Sequence, residues 1–306
     1  MLSQYSHTML LPYDIFALAA AVCWAFGSLL SVSPSRYLGA FAFSRWRMLM
    51  VAAMLWMATL VVSGLQTVSS IQFGMMALSG VIGIFIGDTA NFSAMNRLGP
   101  RRSGVLYATN AIFSTFLGYL IFGERMSLQT MVGAGLTISG VMIAIVFGHR
   151  RAEDHAWESN HGHPGIGIVL GLLAALCQAV GILIAKPVMA EDVDPIAASA
   201  IRVSVACGSH FVLLWCRSPV ARSTLSPNWR VLAQTALSGF VGMGLVMTLL
   251  LLALRLGDVG MVAILSSVTP ILVLPLLWVH LHRPPARGAW LGAALTVVGT
   301  TLILSR

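Results

Sequence analysis

Apolar residues fall in ten runs of roughly membrane-spanning length: 14–33, 44–63, 73–95, 103–122, 128–147, 165–186, 195–216, 231–254, 259–280 and 287–304. A helix needs about 20 such residues to cross the hydrocarbon of a bilayer. Turn-forming residues separate the runs at Ser33-Pro34, Gly99-Pro100, Gly123-Glu124, Pro195, Ser226-Pro227, Gly257-Asp258 and Pro284-Pro285. One long polar stretch, 149–164, interrupts the pattern between the fifth and sixth runs. The pattern predicts an all-α integral membrane protein with ten transmembrane helices.

The pattern also repeats. ALSGVIGIFIGDTANFSAM (Ala77 to Met95) is echoed 159 residues later by ALSGFVGMGLVMTLLLLAL (Ala236 to Leu254). The same ungapped register superposes VGAGLTISG (Val132 to Gly140) on LGAALTVVG (Leu291 to Gly299). One register held across three apolar segments points to two copies of one unit. The organisation expected is residues 1–148 as a first five-helix repeat, 149–164 as a linker, and 165–306 as a second five-helix repeat. Five is odd, so the second copy is inverted relative to the first.

Composition narrows the class. The chain is 58% hydrophobic and 9% charged, against about 25% charged in a typical soluble domain. A net charge of +8 from arginines and one lysine speaks of orientation and anionic headgroups, and nothing in the sequence resembles a nucleic-acid-reading motif. No Lys or Arg precedes the first apolar run, so that run reads as a mature span and not as a cleaved signal. With ten spans, one membrane face holds Arg36, Arg45, Arg47, Arg97, Arg101, Arg102, Arg150, Arg151, Arg217, Arg222, Arg230, Arg283 and Arg287. The other holds Arg125, Lys186, Arg255 and Arg306. The unit's charge bias is opposite in the two copies, as inversion requires. The count by itself favours both termini outside.

Family-like residues appear at several points. The stretch LGYLIFGERMSLQTMVGAGLTISGV (Leu117 to Val141) carries a glycine, glutamate, arginine, serine and glutamine series leading into a glycine-rich helix. Ala94-Met95 closes the third run, Pro195 followed by Arg202 opens the seventh, Arg45 opens the second, and Ser267-Val268-Thr269-Pro270 lies within the ninth. On these residues the chain resembles the drug/metabolite transporter superfamily, EamA-like branch, over nearly its whole length. It departs from the pattern at Asn110-Ala111, where the second copy has Thr269-Pro270, and at Arg283-Pro284-Pro285, opposite Glu124-Arg125-Met126. The resemblance implies a multi-pass carrier in the cell (inner or plasma) membrane, with a central cavity between repeats and small metabolites, amino acids, amines or drugs as substrates. It also implies cytoplasmic termini, against the arginine count.

Charges inside a membrane are costly, so each intramembrane polar residue is a candidate. Asp88 lies mid-way along the third run, where the second copy has Met247, and Asn91 is one turn away on the same face. It reads either as a carboxylate that loads and unloads a proton or as an ion pair that locks packing. Arg45 and Arg202 occupy matching places and read either as attractors for an anionic group or as side chains snorkelling to headgroups, or paired with Asp88 or Asp194. Aligning Cys23 with Cys177 pairs Trp24 with Gln178, each mid-span in the first helix of its unit. Tyr107 and Asn110 match Ser266 and Thr269, and polar residues at equivalent places in two repeats suit a substrate site or helix-to-helix hydrogen bonds. Pro270 would loosen the ninth span by removing a backbone donor. Glu124 and Lys186 read as span-end residues. Gly133-x-x-x-Thr137 and Gly288-x-x-x-Gly292 read as packing faces, and the fifth and tenth spans as peripheral, a candidate dimer surface.

The four cysteines read as small buried residues. The linker's His149, His155, His161 and His163 match no metal-site spacing and read as a solvated loop. No metal or cofactor is expected. No DxxD pair and no GxxxxGK[ST] sequence occurs, which argues against a membrane-embedded metalloenzyme and a P-loop pump. The function expected is a secondary active exporter of a small organic metabolite, amino acid or drug-like solute. It would work by alternating access as a monomer or homodimer, with proton coupling through Asp88. The alternative is a lipid-carrier flippase or a non-transporting partner subunit.

Overall fold

The computed structural model describes residues 12–61, 68–147, 164–217, 225–269, 271, 272, 276 and 287–304. The linker histidines and Pro270 lie outside the described residues. Every regular element among the described residues is helical: α1 (Pro12–Leu38), α2 (Ala40–Val61), α3 (Ser70–Ser79), α4 (Gly87–Ala108), α5 (Asn110–Phe122), α6 (Leu128–Phe147), α7 (Pro164–Ala190), α8 (Pro195–Trp215), α9 (Trp229–Gly239), α10 (Val246–Leu256), α11 (Val259–Ser266) and α12 (Arg287–Leu304). Among the described residues, six segments are long and apolar enough to cross a membrane: Pro12–Ser31, Ser70–Asn91, Val105–Phe122, Gly165–Ala190, Pro195–Trp215 and Trp229–Leu256. Leu128–Ala144 and Gly288–Leu304 are shorter apolar helices. Outward side chains such as Leu60, Ile71, Phe116 and Val169 are exposed and apolar, as a lipid-facing surface must be.

Several predicted boundaries move. The first turn is at Gly39, with φ 81°, and not at Ser33-Pro34; α1 runs through Pro34. Likewise α7 continues through Lys186-Pro187 to Ala190. Proline is tolerated in a membrane helix because packed neighbours satisfy the freed backbone groups. Gly99-Pro100 does not interrupt the helical backbone of α4. Leu98 packs at Gly167 and Leu106 at Gly171, both on α7. The fourth run is broken at Thr109, between α4 and α5. In the ninth run α11 stops at Ser266, and Ser267 is its C-cap.

The repeated ALSG motifs form the same irregular feature. A π-helical stretch, Gly80–Ile86, joins α3 to α4, and a second, Phe240–Leu245, joins α9 to α10. A π-turn carries one more residue than an α-turn and recurs at functional sites. Each stretch crosses the long helix of the other half with no side chain between the backbones. A Cβ on Gly27 of α1 would overlap Gly242, and one on Gly181 of α7 would lie 2.7 Å from the Gly83 Cα. Such close approach is how membrane helices gain dispersion energy without a hydrophobic driving force. Ser79 donates from Oγ to the Gly181 carbonyl at 2.5 Å. Apolar residues of both halves, including Ala17, Met76, Met189, Leu254 and Ile264, form the central core.

The fifth and tenth spans, α6 and α12, pack on each other. A Cβ on Gly133 would come within 2.7 Å of the Gly299 carbonyl, and one on Gly140 within 2.6 Å of the Gly292 carbonyl. Their glycine faces are therefore occupied within the chain and are not a free surface for a second copy.

The span-end residues clamp the α10–α11 corner. Glu124 accepts from the Val259 and Gly260 amides at 2.7 and 3.1 Å, which caps the N-terminus of α11. Lys186 Nζ donates to the Leu254 and Gly257 carbonyls at 2.8 and 2.5 Å, closing the C-terminus of α10. Arg255 pairs with Asp192. The cysteines are free; Cys177 and Cys207 are buried as expected, Cys23 is half-buried, and Cys216 is exposed, contrary to the reading of all four as buried.

Candidate functional site

The polar residues of the interior gather where α2, the first π-stretch, α4 and α8 meet. Gly80 lets the backbone of α8 pass directly over the π-stretch: a Cβ there would lie 2.9 Å from the Arg202 Cα. This places the Arg202 side chain beside Gly83, with Nη2 3.6 Å from where a Gly83 Cβ would stand. Asp88 is the second residue of α4, in the first turn after the π-stretch. It is surrounded by protein yet keeps accessible surface, as do Arg47 and Tyr107. Groups so placed line an internal space.

The charges form a chain. Arg47 is the cation that acts on Asp88. Tyr107 lies under the influence of both Asp88 and Arg202. Arg47 sits over the Phe43 ring at 5.3 Å, with its stem against Gly239 and its Nε without a hydrogen-bond partner. Arg45 lies over the Phe211 ring at 5.9 Å. Arg202 is 2% exposed, and its Nε has no partner. His210, also 2% exposed, meets the Phe85 ring edge-on at 5.2 Å and the Phe41 ring at 6.4 Å, and its Nε2 is unpartnered.

The other sequence candidates divide. Asn91 is half-buried one turn past Asp88, and Gln178 is buried next to Cys177, the residue that faces Gly87. Trp24 is half-buried against the central apolar core. Asn110 donates to the Tyr107 carbonyl at 2.8 Å and Ser266 to the Ala263 carbonyl at 3.1 Å. Thr269 donates to the Ser266 carbonyl at 2.9 Å and contacts the Ala21 carbonyl at 3.3 Å. These three hold the breaks in the fourth and ninth spans and tie the ninth to α1. Asp194 caps α8 through the Ala197 amide at 2.8 Å, so it does not pair with Arg202. Arg202 does not snorkel either, because it is buried among helices rather than at a span opening.

Sequence reasoning missed two members of the cluster. Arg47 was counted among loop charges, being two residues from Arg45 near the start of an apolar run. His210 stands in an apolar run with no motif around it. Its signal was spacing: Arg202, Ala206 and His210 fall four apart, on one face of α8.

The EamA-like transporter family matches the chain twice, over residues 11–146 and 165–305. A probable terminal-alkyne amino-acid exporter of Streptantibioticus cattleyicolor is 29% identical over 219 residues, 67% of this chain and 64% of that protein, just under two thirds of the relative's length. A solved crystal structure superposes with a TM-score of 0.77 over 95% of both chains at 17% identity, which speaks to the fold alone. With its apolar helices and with both halves matched, the chain belongs to the EamA-like transporter family and is a multi-pass membrane protein.

Proposed function

We propose that the protein is a secondary active exporter in the cell membrane, moving a small organic solute of the amino-acid class by alternating access. Residues 1–148 and 165–306 act as two inverted five-helix repeats of a ten-helix carrier, joined by 149–164. Equivalent contacts across the halves support this arrangement. Gly27 meets Gly242 while Gly181 meets Gly83, and Gly133 meets Gly299 while Gly140 meets Gly292. Exchange of equivalent partners is what a two-fold axis in the membrane plane produces. The amino-acid class follows the name of the Streptantibioticus relative.

The observation that carries the mechanism is Asp88, a carboxylate under the influence of Arg47 and lining an internal space. When a proton neutralises Asp88, Arg47 loses its counter-charge, so protonation and the packing of α2 against α4 are coupled. Asp88 is the group that exchanges a proton for the solute, and movement of the two halves about their glycine crossings alternates the access.

Proteoliposomes holding labelled amino acids under an imposed pH gradient test this. The wild type is expected to accumulate solute against its gradient. Asp88→Asn is expected to retain solute exchange and lose pH-driven accumulation. Undiminished pH-driven accumulation in Asp88→Asn sinks the coupling role. A wild type that moves no amino acid at all sinks the amino-acid reading.

A further inference from the structure

We propose that Arg202, together with the Tyr107 hydroxyl, forms a binding site for a carboxylate, so that the transported solute must carry a free carboxylate group. This rests on the transporter reading above and narrows its solute class. The starting point is charge accounting inside the protein. Three arginines, Arg45, Arg47 and Arg202, share the α2–α4–α8 region with one acid, Asp88. Arg47 has Asp88. Arg45 lies over Phe211 near the Cys207 thiol. Arg202 is left with no acid among the described residues, and the ionisable group that acts on it is the Tyr107 phenol, a neutral partner.

A buried guanidinium without an acid is unfavourable, because desolvation is uncompensated. This one is also held in place. The α8 backbone is seated on Gly80, so the side chain has little freedom to reach headgroups. Nη2 lies against the Gly83–Gly181 crossing, 3.6 Å from where a Gly83 Cβ would stand, and Nε is buried without a hydrogen-bond partner. A fixed planar fork of N–H donors beside a phenolic hydroxyl matches the two oxygens of a carboxylate. A neutral amide offers one acceptor and turns an NH₂ against the fork.

The test uses the detergent-purified full chain, with L-leucine, L-phenylalanine and the corresponding L-leucinamide and L-phenylalaninamide as probes. Binding is read from the thermal shift. The wild type should bind an acid about tenfold or more tighter than its amide, as buried polar sites discriminate. Arg202→Gln should abolish this preference while amide binding persists, and Arg202→Lys, which keeps charge but not the fork, should fall between. Tyr107→Phe should weaken acid binding several-fold and leave amide binding alone; it serves as the second test if Arg202→Gln does not fold. Equal binding of acid and amide by the wild type, or a preference that survives Arg202→Gln, overturns the assignment. The same pairs in proteoliposomes separate the two readings. Selective binding of acids without transport leaves the Arg202 site standing and removes the exporter reading. Transport of acids and amides alike removes the Arg202 site and leaves the transporter.

Discussion

The two π-helical crossings share a backbone and differ in chemistry. At the first, Gly83 meets Gly181, Arg202 lies alongside, and Asp88 follows on an internal space. At the second, Gly242 meets Gly27, and the residue in the place of Asp88 is Met247, buried among Met48, Val51, Leu55 and Met243. The second crossing shows that this geometry forms without a carboxylate. Asp88 is therefore not required by the packing of the crossing. It is an addition that packing alone does not explain, and this is the physical ground for assigning it to the transport cycle.

Exchanging the chemistry of the two sites should give the largest effect. Met247→Asp places a charge in an apolar cluster and is expected to cost about 3 kcal/mol, read as a large drop in melting temperature or loss of monodisperse protein. Asp88→Asn sits on a space with accessible surface and should change stability by about 1 kcal/mol or less. Comparable losses from the two substitutions would show that Asp88 is a structural ion pair.

Next come the crossings themselves. Gly27→Ala would drive a methyl into the Gly242 backbone and should cost about 2 kcal/mol by overpacking. In Gly83→Ala the methyl lies 3.1 Å from the Gly181 Cα and needs a smaller shift, so its melting temperature should fall less. The reverse order would mean that the first crossing, and not the second, is the tighter of the two.

The smallest effect concerns the clamp on α11. Burial lifts the Glu124 carboxyl above its ordinary range, against the pull of the Val259 and Gly260 amides. A raised folded-state value means that the group's stability contribution is full at low pH and is lost as pH rises through that value. Glu124→Gln should lower stability by about 1 kcal/mol through the weakened cap. It should also flatten the decline of melting temperature with rising pH in the weakly acidic range. A variant with the wild-type pH slope would show that another group sets it.

Much of this was legible. The apolar runs located the helices, because twenty apolar residues have few uses outside a bilayer, and the 159-residue register located the equivalent glycines. Asp88 stood out because an acid in an apolar run is conspicuous. Arg47 and His210 did not stand out. Hydropathy cannot tell a charge near a span end that faces lipid headgroups from one that faces an interior, and a lone histidine fits either. The glycine faces of α6 and α12 were recognised as packing faces, but nothing in their spacing named each other as partner. Gly99-Pro100 and Ser33-Pro34 misled because proline signals a break most strongly in water, where its missing donor has no packed neighbour to compensate.

By itself, then, the sequence determined that the chain is a helical membrane protein built from two related halves, with small residues where helices touch and one acid at mid-span. Those features follow from local composition and periodicity against a fixed apolar thickness. Which cation answers Asp88, why Arg202 has no acid among the described residues, and which glycine meets which were decided only by tertiary structure. They depend on backbones more than 100 residues apart in sequence, 27 against 242 and 80 against 202, being brought within van der Waals distance. No local pattern encodes that distance.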